Sequence, residues 1–171
     1  GRLVDVKNHA LLIDAFDQAR QQSEQFKSTQ LSIVGDGPNM AALQAQINTL
    51  NLSAHVSLLG NSNNVPAILN QADVFVLSSR YEAMPMTALE AMACKLPVIA
   101  PDVGGVSFIL KNKENGLLVE ANGTQKMAEA LSYAYQHKAE LNEMGLTGRK
   151  MVEADFSVEA MTERYFELYQ S

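Results

Sequence analysis

Short, mostly apolar runs alternate along this chain with longer segments in which apolar residues recur at helical spacing. The runs lie at residues 31–34, 55–59, 73–77, 97–100 and 116–119. Such runs are typical of strands buried on both faces of a parallel sheet. The helical spacing predicts helices over residues 9–26, 39–50, 64–72, 86–94, 107–110, 125–136, 139–153 and 157–169. The alternation predicts an α/β fold, with a doubly wound, Rossmann-like parallel sheet of about six strands flanked by helices.

Glycine is concentrated in the loops that follow the predicted strands. These loops are residues 35–38, 60–61, 78–85 and 101–105. In doubly wound sheets, ligands bind outside the carboxyl ends of the strands, where such loops gather. The sequence therefore predicts a functional site at this edge of the sheet.

Composition indicates one globular domain spanning residues 1–171, since 47% of the residues are hydrophobic and 19% are charged. The net charge is −6, and the absence of a basic run argues against nucleic-acid binding. No apolar stretch approaches the length of a membrane span, and no signal peptide is visible. The single cysteine, Cys94, allows no disulfide within the chain and favours a cytoplasmic setting.

Several common site types do not fit the sequence. Gly35 and Gly37 begin a dinucleotide-binding pattern that lacks its third glycine, and no Walker phosphate loop occurs. The three histidines, His9, His55 and His137, lie far apart, so no metal site is expected. A nucleophile-elbow sequence for serine catalysis is also missing.

Two local patterns suggest contacts with an anion or another close ligand. Arg2 and Lys7 precede a helix that should begin near Asn8, and two cations with free helix amides form an anion site. Gly104 and Gly105 let the backbone approach a ligand closely. Taken alone, both patterns have ordinary explanations, because surface cations are usually solvated and paired glycines often form a simple turn.

The strongest pattern is a pair of carboxylates, Glu82 and Glu90. Glu82 follows the strand predicted at residues 73–77, and Glu90 lies two turns into the helix predicted at residues 86–94. Both acids therefore lie beside one helix N-terminus, which suits a polyhydroxylated or phosphorylated ligand. Glu90 has small or apolar neighbours, so we expect it to be partly buried with a partner. The structural alternatives are a salt bridge for Glu90 and an exposed loop acid for Glu82.

Together, these segments resemble the C-terminal, sugar-donor-binding domain of family 4 retaining glycosyltransferases of the GT-B fold, the glycosyl transferases group 1. The match covers nearly the whole chain, and the two glutamates with seven residues between them are its most specific part. The resemblance implies that Arg2 and Lys7 bind the diphosphate of a nucleotide-sugar. It also implies that Glu90 binds the ribose hydroxyls and that Glu82, the catalytic candidate, lies beside the sugar.

Main-chain groups and loops complete the site that the resemblance implies. Backbone amides are expected to hold sugar or phosphate oxygens at Ala83, Met84, Met86 and Thr87. Gly60 and Asn61 match the region beside the base, and Gly35 is counted among the residues that bind the nucleotide-sugar.

The resemblance implies the donor-binding half of an enzyme that transfers a sugar from a nucleoside-diphosphate sugar, with UDP the expected carrier, to an acceptor glycan or lipid. We expect neither a metal ion nor another cofactor. The acceptor would be bound by an N-terminal domain that this chain lacks, so the chain alone should bind the sugar donor weakly and transfer poorly or not at all. Polysaccharide biosynthesis in the cytoplasm is expected, and peripheral contact with the inner face of the membrane is compatible with it.

Two other functions remain open from the sequence: a non-catalytic nucleotide-sugar binding module and a GT-B epimerase acting on a UDP-sugar. The second is disfavoured because its active-site residues find no convincing match. The chain also departs from the family pattern. Ala83 and Asn8 stand where glycine is usual, although asparagine tolerates left-handed geometry, and Phe108 stands where glutamate is frequent. A strand leading into Gly1 is expected to be short or absent.

Overall fold

A computed structural model describes residues 1–170 and confirms the α/β class. The strands are β1 (Leu31–Val34), β2 (Val56–Gly60), β3 (Phe75–Val76), β4 (Val98–Pro101) and β5 (Gly116–Val119). The α-helices are α1 (His9–Gln22), α2 (Met40–Thr49), α3 (Val65–Leu69), α4 (Met86–Ala93), α5 (Val106–Ile109), α6 (Thr124–Gln136), α7 (Lys138–Asp155) and α8 (Val158–Gln170). Two short 3₁₀ turns lie at Asp5–Lys7 and Gln25–Ser28.

All strand pairs are parallel, as expected, but the strands form two sheets. One sheet pairs β1 with β2, and the other has the order β3-β4-β5. Five strands are therefore found within residues 1–170, where about six were expected. The segment at residues 1–4 runs beside the end of β1, because the Gly1 amine donates to the Val34 carbonyl (2.6 Å) and the Leu3 amide to the Asp36 carbonyl (2.9 Å). These two bonds hold the segment in place without making it a strand.

The predicted elements differ from the observed ones mainly at their ends. The first helix ends at Gln22, before the predicted Phe26, because Ser23 adopts an extended conformation and the following 3₁₀ turn buries Phe26 separately. The strand expected at residues 73–77 is reduced to Phe75–Val76, which pairs with β4 alone. Asn64 caps α3, since its side chain accepts a hydrogen bond from the Ala67 amide.

Two hydrophobic clusters hold the elements together. The first joins α1, α2 and α6 to β1 and β2 and contains Ile13, Phe16 and Ile47. The second surrounds α4 and β4, where Met92 and Val98 are fully buried. Each fully buried side chain of this size contributes about 1.5–3 kcal/mol through burial. The clusters fix α1 and α4, the two helices whose N-termini face the candidate site.

No helix among residues 1–170 combines the length and the apolar character that crossing a membrane requires.

Candidate functional site

The site begins where the N-terminal segment turns into α1. Asn8 ends the 3₁₀ turn in the left-handed conformation, with φ 52° and ψ 40°, as expected for asparagine in place of glycine. The Leu11 amide donates to the Asn8 carbonyl, whereas the amides of His9 and Ala10 have no acceptor within residues 1–170. Unpaired amides in a first helical turn favour an anion. Lys7 directly precedes this turn, so the predicted combination of cation and helix start is present.

Glu82 is buried and paired with Lys7. The Lys7 ammonium nitrogen donates to Glu82 Oε1 at 2.6 Å, and the Ser79 hydroxyl donates to the same oxygen, also at 2.6 Å. Only 7% of Glu82 is exposed, so the alternative of an exposed loop acid is wrong. A buried carboxylate requires such partners, because an unpaired charge away from water is strongly unfavourable.

The main chain around Glu82 is held from two sides. On one side, the Arg80 amide donates to the Val6 carbonyl (2.8 Å), and the Ser78 hydroxyl donates to the Lys7 carbonyl (2.8 Å). On the other side, the Gly105 amide donates to the Glu82 carbonyl, also at 2.8 Å. The glycine pair was predicted to let the backbone approach a ligand, and in the structure it approaches the Glu82 loop instead.

Glu90 is exposed on α4, which contradicts the expectation that it is partly buried with a partner. The buried side of the helix is formed by Ala88, Leu89, Ala91 and Met92. Glu90 points away from them, and its carboxylate has no hydrogen bond or ion pair in the part of the chain that the structure describes. A carboxylate in this position is free to accept hydrogen bonds from a ligand.

Both Lys7 and Glu90 affect the pKa of the Gly1 amine. Burial lowers the pKa of the Gly1 amine, the Lys7 ammonium lowers it further, and the Glu90 carboxylate acts in the opposite direction. Lys7 also contacts Glu82 directly.

The four predicted main-chain donors are not equivalent. The Met86 amide donates to the Met84 carbonyl at 2.9 Å and is therefore engaged. The amides of Ala83, Met84 and Thr87 have no acceptor among residues 1–170. Three of the four predicted amides can therefore donate a hydrogen bond to an oxygen atom of a ligand.

The remaining predicted residues are Arg2, Gly35, Gly60 and Asn61. Arg2 is exposed, and no partner for its guanidinium is found within residues 1–170. The Gly35 amide donates to the Gly60 carbonyl at 2.8 Å, and a Cβ at Gly35 would lie 1.7 Å from the Gly1 carbonyl oxygen. Asn61, which follows Gly60, is exposed.

Phe108 and Phe156 pack against each other. Phe108, at the position where the resemblance leads one to expect glutamate, packs edge-to-face on Phe156 with ring centroids 6.4 Å apart, and 67% of it is exposed.

Within residues 1–170, no three His, Cys, Asp or Glu side chains lie close enough together to hold a metal ion.

His9 is not among the site residues predicted from the sequence, although it lies two residues after Lys7. It is the first residue of α1 and is half-buried. Burial, and to a smaller extent the positive charges of the Gly1 amine and Lys7, lower the pKa of His9 from its ordinary value of 6.5 to about 4. The imidazole is therefore neutral at pH 7. Its position two residues after Lys7, at a predicted helix start, is the only signal of this environment in the sequence.

We expect the stability of the chain to fall between pH 6.5 and pH 4 because of His9. In this window the unfolded chain binds a proton at His9 that the folded chain does not, so stability is fully present above pH 6.5 and is lost as the pH falls towards 4. The expected loss is on the order of 2 kcal/mol, reduced from the full value by partial contact with solvent. Urea unfolding of wild type and His9→Gln at pH 7, 5.5 and 4.5 measures it. Identical pH dependence in the two proteins would contradict the prediction.

Comparison with known proteins gives one family. The family model for glycosyl transferases group 1 matches residues 1–151. Among curated proteins, the chain is 36% identical over 138 residues to an Escherichia coli UDP-Gal:alpha-D-GlcNAc-diphosphoundecaprenol alpha-1,3-galactosyltransferase, covering 80% of this chain and 35% of the relative. It is 30% identical over 139 residues to the N-acetyl-alpha-D-glucosaminyl L-malate synthase of Bacillus anthracis, covering 81% of this chain and 36% of that protein.

A solved structure agrees with this result. A mutant of S. aureus TarM, in complex with Fondaparinux, alpha-GlcNAc-glycerol and UDP, superposes with a TM-score of 0.89 at 26% identity. The match covers 100% of this chain and 34% of the TarM chain. The chain thus spans about a third of the length of the relatives named here.

Proposed function

Because this chain belongs to the glycosyl transferases group 1 family, we propose that it is the sugar-donor-binding domain of a retaining glycosyltransferase. Its substrate in this role is a nucleoside-diphosphate sugar carried on UDP. The relative that names UDP-Gal and the structural neighbour that contains UDP support this choice of carrier.

The observation that carries the proposal is the arrangement around Lys7. A buried glutamate, Glu82, is paired with this lysine, and α1 begins two residues later with unpaired amides, while the second glutamate of the pattern, Glu90, is exposed and has no partner among residues 1–170. An anionic ligand at the α1 start would reach Lys7 on one side. Its polar hydroxyl groups could then reach Glu90 and Glu82.

In the proposed complex, Arg2, Lys7 and the first amides of α1 bind the diphosphate. They neutralise the charge that develops on the leaving group, which is the electrostatic task that catalysis of this transfer requires. We propose that these groups suffice without a metal ion or another cofactor. The free amides of Ala83, Met84 and Thr87 bind further oxygens of the sugar or the phosphates.

The two carboxylates have different tasks in this proposal. Glu90 accepts both ribose hydroxyls, a geometry that a carboxylate with two free oxygens suits well. Glu82 lies beside the sugar, where its negative charge offsets positive charge that develops at the anomeric carbon, a demand that carboxylates also meet in glycoside hydrolysis. Glu82 is thus the candidate catalytic residue. Gly35, Gly60 and Asn61 border the base.

The acceptor lies outside the proposed role of this chain. We propose that a second domain binds a glycan or lipid acceptor and that the whole enzyme works in the cytoplasm, in the biosynthesis of a polysaccharide. The name of one relative includes diphosphoundecaprenol as the carrier of its acceptor. This name supports a membrane-linked acceptor for the whole enzyme. Contact with the inner face of the membrane would follow from such an acceptor.

The proposal is tested by calorimetry with UDP, GDP and ADP. Glu90→Ala should weaken UDP binding by about 1–3 kcal/mol, because a charged hydrogen-bond acceptor is lost from the ribose. The matched control is Glu163→Ala, which removes an exposed glutamate from α8. Wild type should bind UDP more tightly than GDP or ADP. The absence of UDP binding would overturn the proposed function, and unchanged UDP affinity in Glu90→Ala would remove Glu90 from the site.

A further inference from the structure

The buried carboxylate of Glu82 uses its two oxygens unequally. Oε1 receives both recorded hydrogen bonds, one from Lys7 and one from Ser79, each at 2.6 Å. Oε2 has no partner within residues 1–170. One oxygen is therefore committed to the protein, and the other remains able to accept from a ligand.

Ser79 is positioned to make this contact with Glu82. It is 3% exposed and lies three residues before Glu82, so its hydroxyl reaches the carboxylate from the same loop. Lys7 could hold the carboxylate alone, but a flexible ammonium group does not fix which oxygen it contacts or how the carboxylate plane is turned. A second donor on Oε1, coming from a different direction, restricts that rotation.

The preceding serine holds the other partner. The Ser78 hydroxyl donates to the main-chain carbonyl of Lys7 at 2.8 Å and is 6% exposed. Two adjacent buried hydroxyls thus act on the two halves of the ion pair: Ser78 on the main chain of Lys7 and Ser79 on the carboxylate of Glu82. Both come from the loop that follows β3, so the position of the pair is tied to the sheet.

We propose that Ser79 is a positioning residue that commits Glu82 Oε1 to the protein and presents Oε2 to the sugar of the bound nucleotide-sugar. Ser78 supports it by fixing Lys7. This inference rests on the proposed function, because it assumes that a sugar occupies the space beside Glu82. It implies that Ser79 matters for recognition of the sugar and little for recognition of UDP.

The variants for the test are Ser79→Ala, Ser79→Thr and Ser132→Ala. Ser79→Ala removes the hydroxyl, and Ser79→Thr restores it with one added methyl group. Ser132 is a matched control, because its buried hydroxyl has no hydrogen-bond partner in the described part of the chain. Affinities are measured by calorimetry for UDP, UDP-glucose, UDP-galactose and UDP-N-acetylglucosamine, after thermal unfolding has shown that each variant is folded.

We expect Ser79→Ala to bind UDP within about threefold of wild type and to lose roughly tenfold in affinity for the UDP-sugar that wild type binds best. Ser79→Thr should recover most of that loss, and Ser132→Ala should match wild type for every ligand. Equal losses for UDP and the UDP-sugar would overturn the positioning role. Failure of wild type to bind UDP at all would instead strike at the proposed function.

A second measurement requires no ligand, and it tests the proposal even if Ser79→Thr folds poorly. In a crystal structure of Ser79→Ala, the Glu82 carboxylate should turn so that both oxygens approach Lys7. A carboxylate that keeps its wild-type orientation, with Oε2 still unpaired, would show that Ser79 does not set it.

Discussion

Gly104→Ala should unfold the chain more easily and move the Glu82 loop. Gly104 has a φ of +52°, and a Cβ at this position would lie 2.1 Å from the Glu82 carbonyl oxygen. The left-handed conformation costs a non-glycine residue about 1–2 kcal/mol, and overpacking against main chain adds about 1–3 kcal/mol. We therefore expect a loss of about 2–5 kcal/mol in the free energy of unfolding, measured by urea denaturation.

Gly60→Ala separates the two causes. Gly60 also has a positive φ, of +68°, but a Cβ there would meet no atom within 4 Å. It should therefore pay the conformational cost alone and lose about 1 kcal/mol. Equal losses in the two variants would mean that the contact between Gly104 and the Glu82 carbonyl is unimportant for stability.

Lys7→Met is expected to have the second large effect, because it leaves the Glu82 carboxylate with only the Ser79 hydroxyl. The Glu82 side chain is 8% exposed, and the Lys7 side chain is 30% exposed. Removing one partner of a buried pair costs several kcal/mol, and the partial access of Lys7 to solvent reduces this to about 1–3 kcal/mol. Urea denaturation at pH 7 measures the loss.

A double-mutant cycle isolates the pair itself. Combining Lys7→Met with Glu82→Gln should recover part of the loss, because no unpaired charge then remains, and the coupling should be about 1 kcal/mol or more. The control is the pair of Lys27 with Glu24, which is equally close at 2.5 Å but has side chains 48% and 86% exposed. Its coupling should be smaller. Similar coupling in the two pairs would contradict a special role for burial.

Arg2→Met tests whether a cation of the proposed diphosphate site can affect UDP binding without affecting the stability of the fold. Arg2 is exposed and has no partner within residues 1–170, so its loss should leave the free energy of unfolding unchanged. Under the proposed function it should still weaken UDP binding, because Arg2 is proposed to bind the diphosphate. A variant of Arg2 that keeps full UDP affinity would remove this residue from the diphosphate site.

Much of the fold was predictable because local patterns decide it. Buried strands read as apolar runs and helices as a periodic repeat, so every strand and helix predicted from those patterns was found. The left-handed Asn8 and the cap at Asn64 follow from side chains whose local hydrogen-bonding preferences are strong. Element ends and the split into two sheets were not predictable, because they depend on which neighbouring strand supplies the hydrogen bonds.

The burial of Glu90 was predicted wrongly, and the burial of Glu82 was not predicted at all. The apolar neighbours of Glu90 indicate a crowded helix, but they form the buried face of α4, and Glu90 lies on the opposite face. Glu82 follows a strand in a polar loop, and only the packing of Lys7, Ser79 and Gly105 around it makes it buried. Exposure of a single residue depends on partners distant in sequence, which a local pattern does not report.

The sequence by itself determined the α/β class, the positions of the loops at the strand ends, the family resemblance and the identity of the two acids. The tertiary structure alone decided that Lys7, 75 residues before Glu82, is its partner, that two serines hold this pair, and that Glu90 has no partner among residues 1–170. The physical reason is the distance along the sequence over which each effect acts. Hydrophobic periodicity and turn preferences act over a few residues, whereas a buried charge is stabilised by whichever groups the folded chain brings within hydrogen-bonding distance.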